Sequence, residues 1–374
     1  MDAGKPSLKL IFAVDALSPA LSGIGRYTWE LTQRLAQSQL FSSIRYYRNE
    51  QWIKAPSALI DQNTTHKKPL IHLPRWIKTW YWPRSCRDRI FHTPNYLLPR
   101  YAENGVITVH DLSVFKFPET HPAARLRQFE KSFQQSLDIA AHLITDSEAT
   151  RQEVMAYFGW PSDRISAIHL GVAAVYAPRT AAQLAPRLQR YGLSAGGYAL
   201  CVSTIEPRKR IDRLLLAYAR LPKDLRAAYS LVIIGGRGWQ SEALHDQMEM
   251  AQQAGWLHYL GFVDEADLPA LYAGARLFIY PSIYEGFGLP VAEAMASGVP
   301  VIASNRSTLP EISAGAALLI DPDDHDAFVT AIESALLDES WRQTHIAAGL
   351  NVAAGYSWDT CFQKTCGVYR VVHR

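Results

Sequence analysis

The feature that most constrains this chain is an alternation of short apolar runs with amphipathic stretches, present in both halves. The pattern begins at Leu8–Val14, and its first half ends at Ile165–Leu170. After an Ala/Pro/Gly-rich stretch from Val172 to Gly197, it restarts at Tyr198–Val202. Short aliphatic runs that alternate with helical periodicity are typical of parallel sheets covered by helices. We therefore predict an α/β protein with two Rossmann-like parallel-sheet domains.

The same pattern predicts individual elements and domain limits. Strands are expected at 8–14, 88–92, 105–110, 141–145, 165–170, 198–202, 231–234, 256–260, 277–280, 299–303 and 317–320. Helices are expected from Gly23, at 123–137, after Ser147 through Phe158, and at 211–220, 267–274, 288–296 and 324–337. The polar residues 49–70 are predicted to be loop. The predicted domains are 1–178 and 179–355, with a helix in 356–374 packing back toward the first domain.

Composition excludes several classes of protein. A chain of 374 residues with 48 % hydrophobic and 20 % charged residues has enough apolar sequence for two folded domains. The net charge of +3 gives no reason to expect a nucleic-acid partner. The four cysteines form no CxxC motif, which favours free thiols in a reducing cytoplasm. No apolar run is long enough for a signal peptide or a membrane span, so a cytoplasmic protein, soluble or peripheral, is expected.

The sharpest chemical signal is a pair of glutamates around a predicted helix start. Glu285 lies in a glycine-containing loop after a strand, and Glu293 lies inside the following helix. The amides of Gly286–Leu289 open that helix, where free N–H groups and the macrodipole favour phosphate. The carboxylates can accept hydrogen bonds from sugar and ribose hydroxyls. Alternatively, Glu285 is only an N-terminal charge and Glu293 a solvated helix residue.

Two adjacent cations also follow a predicted strand. Arg208 and Lys209 come after Pro207, close to a helix start. Positive charge is unfavourable at a helix N-terminus, so a bound anion would explain its presence there. Arginine can also bind phosphate through two parallel hydrogen bonds.

These segments resemble the Glu-x7-Glu motif region of retaining glycosyltransferases with the GT-B architecture, a large family 4-like group. The similarity includes Ala294–Ala303, Pro310–Ile312, Val202–Arg210, Ile233–Gly236, Leu260–Val263, Ser22–Tyr27 and Val109–Leu112. It therefore covers most of the chain, with the more specific motifs in the C-terminal half. The resemblance implies two domains that face each other across a cleft, with 1–178 on the acceptor side and 179–355 binding the nucleotide sugar.

The resemblance also implies site residues. The catalytic residues would be His110 and Glu285, with Glu285 on the donor sugar. Donor binding would involve Gly23, Gly25, Ser203, Arg208, Lys209, Val263, Gly286, Phe287, Gly288, Leu289 and Glu293. Many members carry arginine where this chain has Ser203, so Arg208 or Arg210 is expected to replace it.

The implied reaction moves a sugar from a nucleotide diphosphate sugar to an acceptor hydroxyl with retention of configuration. The motifs look most like those of bacterial mannosyltransferases of surface-polysaccharide assembly. GDP-mannose is therefore the favoured donor, followed by UDP- or dTDP-sugars. The acceptor would be a saccharide, free or polyprenyl-linked. No cofactor and no metal are expected, because the cations and the helix N-terminus offset the charge of the leaving diphosphate.

Three motifs have a second interpretation. His110 ends a strand at the carboxyl edge, where α/β sites lie, although such a histidine is often a structural hydrogen-bonding residue. Asp321-Pro-Asp323-Asp324 looks like a metal-binding DxD motif, but its position before a helix favours capping. Gly235–Gly238 resembles a dinucleotide loop without the required spacing.

Residues 75–89 concentrate Lys and Arg with Trp76, Trp80, Tyr81 and Trp82. Buried aromatic residues are one interpretation. The other is an interfacial segment on an anionic membrane, which the excess of Lys and Arg in residues 1–178 also favours.

Other functions remain open from sequence alone. A sugar-nucleotide epimerase or a phosphorylase would share the fold, and so would a sugar-nucleotide-binding module without catalysis. Retention of Lys209, Glu285 and Glu293 argues against the binding module. A nicotinamide dehydrogenase would need a glycine fingerprint that is missing here.

Overall fold

The computed structural model describes residues 8–61, 75–118, 123–238 and 242–373, and only the backbone of 75–77 and 123–125. The chain forms two compact units. The first contains the described residues up to Leu112, the segment from 123 to Leu170, and the C-terminal segment from Trp358. The second contains Gly171–Ser357 together with the short segment that begins at Ser113. The long continuous segment of the second unit thus begins directly after Leu170.

The first unit is built on a seven-stranded sheet with the strand order β3-β2-β1-β4-β5-β6-β7. All neighbours are parallel except β2 and β3, which are antiparallel. The strands are β1 Leu8–Ala13, β2 Phe41–Arg48, β3 Gln51–Ile53, β4 Ile90–Thr93, β5 Asn104–Val109, β6 Ala140–Thr145 and β7 Ile165–Ala167. Strands β1, β4, β5 and β6 are almost wholly buried, because helices cover both faces of a parallel sheet.

The described part of the first unit contains five α-helices, two of which begin at a serine side-chain cap. They are α1 Gly23–Gln37, α2 Arg75–Cys86, α4 Ala123–Ile139, α5 Glu148–Phe158 and α15 Trp358–Val372, and the short α3 Ser113–Lys116 belongs to the second unit. Ser22 caps α1 by accepting from the Gly25 amide, and Ser147 caps α5 in the same way through the Thr150 amide. Each cap satisfies one of the free N–H groups of the first turn.

The second unit is built on a six-stranded, fully parallel sheet with the order β10-β9-β8-β11-β12-β13. The strands are β8 Tyr198–Val202, β9 Ser230–Ile234, β10 Leu257–Gly261, β11 Leu277–Tyr280, β12 Val301–Ser304 and β13 Ala317–Ile320. The order reverses between β8 and β11, which is where ligands bind in open α/β sheets.

The helices of the second unit pack on both faces of this sheet. They are α6 Ala181–Leu188, α7 Ile211–Ala219, α8 Lys223–Ala228, α9 Glu242–Gln253, α10 Leu268–Ala273, α11 Leu289–Ala296, α12 Leu309–Ser313, α13 His325–Leu337 and α14 Glu339–Ala353. Two apolar clusters form the core, one containing α10 and α11 and the other α7 and α13.

The sequence prediction missed several elements, including β2, α9 and α14, and it was wrong for part of residues 49–70. Residues 49–70 were predicted to be loop, but Gln51–Ile53 form β3 and Pro56–Leu59 form a short 3₁₀ helix. Residues 62–70 lie outside the described part of the chain. Strand β2 was not predicted because its alternation of polar and apolar residues breaks the apolar pattern of a central strand. On one side β2 pairs with the buried strand β1, and on the other side it pairs only with the short edge strand β3, so β2 itself is partly exposed.

Candidate active site

A buried charge cluster lies at the carboxyl ends of β8 and β11, the two strands at the reversal point. Lys209 follows β8 through a single 3₁₀ turn, and Glu285 follows β11. The Lys209 Nζ donates to the carboxylate Oε1 of Glu285 and, over 3.1 Å, to the Tyr280 hydroxyl. The Tyr280 hydroxyl in turn donates to Glu285 Oε1 over 2.9 Å. The cluster therefore satisfies one carboxylate oxygen with two donors.

Burial and charge act against each other on Glu285. Its side chain and that of Lys209 are both buried. Burial alone would raise the pKa of the Glu285 carboxyl group, but the positive charges of Lys209 and Arg208 lower it to about 2. Glu285 is thus a carboxylate at any physiological pH. It can accept hydrogen bonds from hydroxyls but cannot donate a proton.

The two arginines beside Lys209 have different partners. Arg208 turns toward Glu285: its Nη1 lies 3.5 Å from Oε2 and donates to the Tyr284 carbonyl over 2.7 Å. Arg210 adopts the left-handed region, with φ of 53°, and its Nη2 donates to Asp323 over 2.5 Å. Of the two arginines predicted to replace the family arginine at Ser203, the structure brings only Arg208 to the Glu285 cluster.

Ser307 holds the backbone of Glu285, a role that sequence reasoning missed. Its hydroxyl accepts from the Glu285 amide over 3.2 Å and donates to the Glu285 carbonyl over 2.8 Å. Ser307 has a φ of 58°, which is unfavourable for a non-glycine residue and is typical of functional sites. Tyr280 was also missed. The only sequence signal for either is its place at or just after the end of a strand.

The loop between the two glutamates turns sharply into α11. Gly288 precedes the helix with a φ of 94°, and a Cβ there would lie 2.7 Å from a Leu309 methyl carbon, so glycine is required. Phe287 is buried against Tyr356. Leu289 is the first residue of α11, half-buried, and Gly286 is buried in the loop before it.

Glu293 is buried in α11 rather than solvated. Its negative charge, after the larger effect of burial, raises the pKa of the Tyr272 hydroxyl. Val263 is buried in the apolar core that also contains Tyr272, so only its backbone is available to a ligand. Ser203 is buried as well, and its hydroxyl has no hydrogen-bond partner in the described residues.

The two glycines at the start of α1 have different roles. A Cβ on Gly25 would lie 3.0 Å from the Ala16 carbonyl oxygen, so this glycine permits close packing against the loop after β1. A Cβ on Gly23 would meet no atom within 4 Å. Gly23 therefore leaves open space at the carboxyl edge of the first sheet.

His110 follows β5 in the first unit and uses both ring nitrogens. Nδ1 lies 2.7 Å from the Asp146 carboxylate and Nε2 lies 2.8 Å from the Pro94 carbonyl. The Pro94 carbonyl can only accept, so Nε2 carries a proton, and the Asp146 carboxyl group favours a second proton on Nδ1. Burial opposes this charge, but Asp146 and the Pro94 carbonyl outweigh it and raise the pKa of His110.

A second buried histidine, His92 on β4, stays neutral. Its nitrogens lie 2.6 Å from the Tyr369 hydroxyl of α15 and 2.9 Å from the Thr108 hydroxyl. Thr108 also bonds the Tyr27 hydroxyl over 3.0 Å. Burial and the charge of His110 lower the pKa of His92 to about 3. This network joins α1, the sheet and α15 within the first unit.

The DxD-like segment is used by arginines and a helix cap. Asp323 pairs with Arg210, Arg213 and Arg306, while Asp321 pairs with Arg306. Asp324 caps α13 by accepting from the Ala327 amide, as the sequence analysis predicted. Within the residues that the structure covers, no group of three or more His, Cys, Asp and Glu side chains is arranged to hold a metal ion.

Residues 75–89 divide between core and surface. Trp82 is buried and stacks on Tyr101, with ring centroids 5.6 Å apart. Trp80 is 58 % exposed, and the Arg84 guanidinium lies 4.4 Å from its ring centroid. Trp82 thus agrees with the buried alternative, whereas Trp80 lies on the surface. The side chain of Trp76 lies outside the described residues.

Solved structures with the same fold cover nearly the whole chain. Sucrose-phosphate synthase from Thermosynechococcus elongatus superimposes with a TM-score of 0.73 at 20 % identity, covering 98 % of this chain and 99 % of that one. WaaG, a glycosyltransferase involved in lipopolysaccharide biosynthesis, gives 0.72 at 16 % identity, covering 96 % and 99 %. At such identities the likeness concerns the fold, which is the GT-B class of two parallel-sheet α/β domains.

Sequence comparison is more specific. Residues 21–176 match the model described as Glycosyltransferase Family 4, and residues 194–351 match Glycosyl transferases group 1. O-antigen chain mannosyltransferase B of Escherichia coli is 40 % identical over 381 residues, covering 98 % of this chain and 100 % of that protein. Serotype-specific mannosyltransferase WbdA of Escherichia coli is 31 % identical over 278 residues, covering 71 % of this chain and 34 % of that protein. The chain belongs to the family 4 group of glycosyltransferases.

Among the described helices, none is long and apolar enough to cross a membrane.

Proposed function

We propose that this glycosyltransferase moves a mannosyl residue from GDP-mannose to a hydroxyl of a saccharide carried on a polyprenyl lipid. The observation that carries the proposal is the buried Lys209–Glu285 pair at the reversal point of the second sheet. The printed names of two relatives, O-antigen chain mannosyltransferase B and WbdA, support mannose as the sugar. The guanine base rests on the resemblance of the motifs to those of bacterial mannosyltransferases.

The donor diphosphate is assigned to the cations and the helix start of the second unit. Lys209 and Arg208 supply positive charge, and the loop Gly286–Leu289 supplies the amides that open α11. On donor binding, the Lys209 ammonium shares its donors between Glu285 and a phosphate oxygen. Glu285 holds hydroxyls of the donor sugar, and Glu293 holds the ribose. The backbone at Ser203 and Val263 completes the donor contacts.

The proposed reaction proceeds by attack on the same face from which the diphosphate leaves. The bond between the anomeric carbon and the diphosphate oxygen breaks, and a bond to the acceptor oxygen forms. The acceptor proton passes to an oxygen of the leaving phosphate, so GDP is released with that proton. No metal takes part, because the cations offset the charge on the leaving group. Neutralisation of Glu285 by Lys209 makes this carboxylate a weak nucleophile, which argues against a covalent intermediate.

His110, in the domain on the acceptor side, is assigned to catalysis, and the α1 glycines are assigned to donor binding. Asp146 fixes the His110 ring and keeps it positive. The hydrogen bond to the Pro94 carbonyl can be exchanged for one to a sugar hydroxyl, since both are acceptors. Gly23 leaves room beside α1 for a sugar to approach the backbone.

The acceptor lipid places the enzyme at a membrane surface. We assign the peripheral contact to the exposed side of α2, where Trp80 and Arg84 stack, together with the exposed Arg87 that follows the helix. An exposed Trp next to arginine suits the headgroup region of an anionic leaflet. On this proposal the enzyme works in the cytoplasm, on the inner face of the plasma membrane.

The decisive experiment offers the chain a panel of sugar nucleotides and measures nucleotide release with a polyprenyl-linked saccharide acceptor. GDP-mannose should release GDP, and the product should carry an α-mannosyl linkage. A UDP-sugar is the second candidate, because Anabaena Alr3699/HepE, of the same fold, was solved with UDP-glucose. Release of nucleotide from none of the sugar donors would contradict the proposal.

A further inference from the structure

The first unit contains two adjoining cavities that the donor site does not use. One, of about 900 Å³, lies between α2 and the segment after β4, and the other, of about 440 Å³, lies at the carboxyl ends of β1, β2 and β4. Tyr47, Pro99 and Arg100 line both. Pockets that bind small molecules usually measure roughly 300–1,000 Å³, so the two cavities together have room for more than one sugar ring. We call the joined cavities the Tyr47 groove.

One end of the groove reaches the proposed acceptor side. Pro94, whose carbonyl accepts from His110, lines the smaller cavity. The other end is aromatic: Trp82 and Tyr101 are stacked, and the Tyr47 and Tyr101 hydroxyls are joined over 2.7 Å. The groove therefore leads from the neighbourhood of His110 to Tyr101, a half-buried ring that is backed by the buried Trp82.

The chemistry of the lining selects a neutral, hydroxyl-rich ligand. The groove carries the carboxylates Asp15, Glu50 and Glu103 together with the cations Lys78 and Arg100. Lys78 is paired with Glu50, so the carboxylates Asp15 and Glu103 outnumber the remaining cation, Arg100. A phosphorylated ligand would be repelled by this net negative charge, and a lipid chain would leave the charges desolvated. A pyranose has a face of C–H groups that packs on aromatic rings and a rim of hydroxyls that can both donate and accept hydrogen bonds.

We infer that the Tyr47 groove binds the sugars of the acceptor that precede the one receiving the new residue. The acceptor would then be an oligosaccharide, and the enzyme would favour longer acceptors over a monosaccharide. This inference rests on the proposed transferase function, but binding in the groove requires neither donor nor catalysis.

The test titrates free linear α-linked manno-oligosaccharides, from disaccharide to pentasaccharide, into the full chain by calorimetry. In the unmodified chain we expect the affinity for the oligosaccharide to rise about tenfold from the disaccharide to the pentasaccharide. Tyr101→Ala removes a wall of the groove, and Arg100→Ala changes its exposed rim without disturbing the core; both should abolish the length dependence. Tyr157→Ala is the matched control, because Tyr157 is an exposed aromatic residue of the same unit outside the groove.

Lys209→Ala separates this inference from the proposed function. Oligosaccharide binding should survive in Lys209→Ala while donor binding is lost. If binding depends on acceptor length but no sugar is transferred, the groove inference holds and the proposed transferase function is contradicted. Two results would overturn the groove inference: sugar transfer with no dependence of binding on acceptor length, or oligosaccharide binding by Tyr101→Ala and Arg100→Ala equal to that of the unmodified chain. Binding of polyprenyl phosphate alone, lost in Tyr101→Ala, would also overturn it by identifying a lipid site.

Discussion

Lys209 and Glu285, 76 positions apart in the chain, form a buried ion pair whose carboxylate oxygen also accepts from Tyr280. Burying two charges costs several kcal/mol of desolvation each, and such a pair is often no more stable than apolar residues of equal size. The pair is therefore better explained by ligand binding than by stability. A ligand phosphate and a ligand hydroxyl would each find a charged partner already in position.

Glu285→Gln should lower turnover much more than donor affinity. The lost charge-assisted hydrogen bond to the donor sugar is worth about 1.5–3 kcal/mol, which corresponds to a ten- to hundredfold loss in kcat. The melting temperature should also fall, because Lys209 is left buried without its partner. Asp212→Asn, which alters a partly exposed pair with Arg213, serves as the control. Near-unchanged turnover in Glu285→Gln would remove Glu285 from the site.

Arg208→Ala and Arg210→Ala form a matched pair for the diphosphate assignment. Arg208 faces Glu285, whereas Arg210 is held by Asp323. Arg208→Ala should therefore weaken GDP binding about tenfold or more and leave guanosine binding unchanged. Arg210→Ala should alter neither by more than a small factor. Titration calorimetry with GDP and guanosine distinguishes the two, and equal losses in both variants would show that neither arginine is specific to phosphate.

The stability of the first unit should fall in mild acid because of His92. The pKa of His92 is about 3 in the folded protein and 6.5 when unperturbed. Below pH 6.5 the unfolded chain therefore binds a proton at His92 that the folded chain does not bind, which favours unfolding. The loss approaches about 1.4 kcal/mol per pH unit between pH 6.5 and 3. His92→Gln should flatten this part of the profile in chemical denaturation. His142, which bonds Ser166, also has a lowered pKa, so His142→Gln measures the part of the slope that does not come from His92. An unchanged slope in His92→Gln would contradict the assignment.

Transfer should continue after treatment with EDTA. Asp321 and Asp323 already pair with arginines, and the diphosphate is assigned to Lys209 and Arg208. Asp323→Asn should lower stability modestly, because it breaks pairs with Arg210 and Arg213, and it should not create a metal dependence. If EDTA abolished transfer, and Mn²⁺ or Mg²⁺ but neither Ca²⁺ nor salt restored it, these carboxylates would have to be metal ligands.

Binding to anionic vesicles should be reversible and sensitive to salt. Each arginine near an anionic leaflet contributes about 1 kcal/mol, so Trp80→Ala combined with Arg84→Ser and Arg87→Ser should abolish sedimentation with the vesicles. Lys78→Ser is the control on the same helix, because Lys78 pairs with Glu50. GDP binding should stay unchanged in both. Equal vesicle binding by the triple variant would exclude this surface of α2.

Sequence reasoning succeeded where a signal is local. The strands at Leu277–Tyr280 and Ala317–Ile320 match their predicted bounds, because a buried strand needs an uninterrupted apolar run. The Ser147 cap is also local and was predicted. Strand β2 was missed because its residues alternate in burial.

The sequence by itself determined the α/β class, the family and the presence of Lys209, Glu285 and Glu293 near strand and helix ends. The tertiary structure decided which of these side chains meet. Tyr280 joined the cluster because β11 lies beside β8, and Ser307 reached Glu285 because β12 lies beside β11. Arg208 and Arg210 are two positions apart in sequence, yet the left-handed backbone at Arg210 directs them to different partners. Partner choice depends on strand order and backbone direction, which arise only when distant segments pack together.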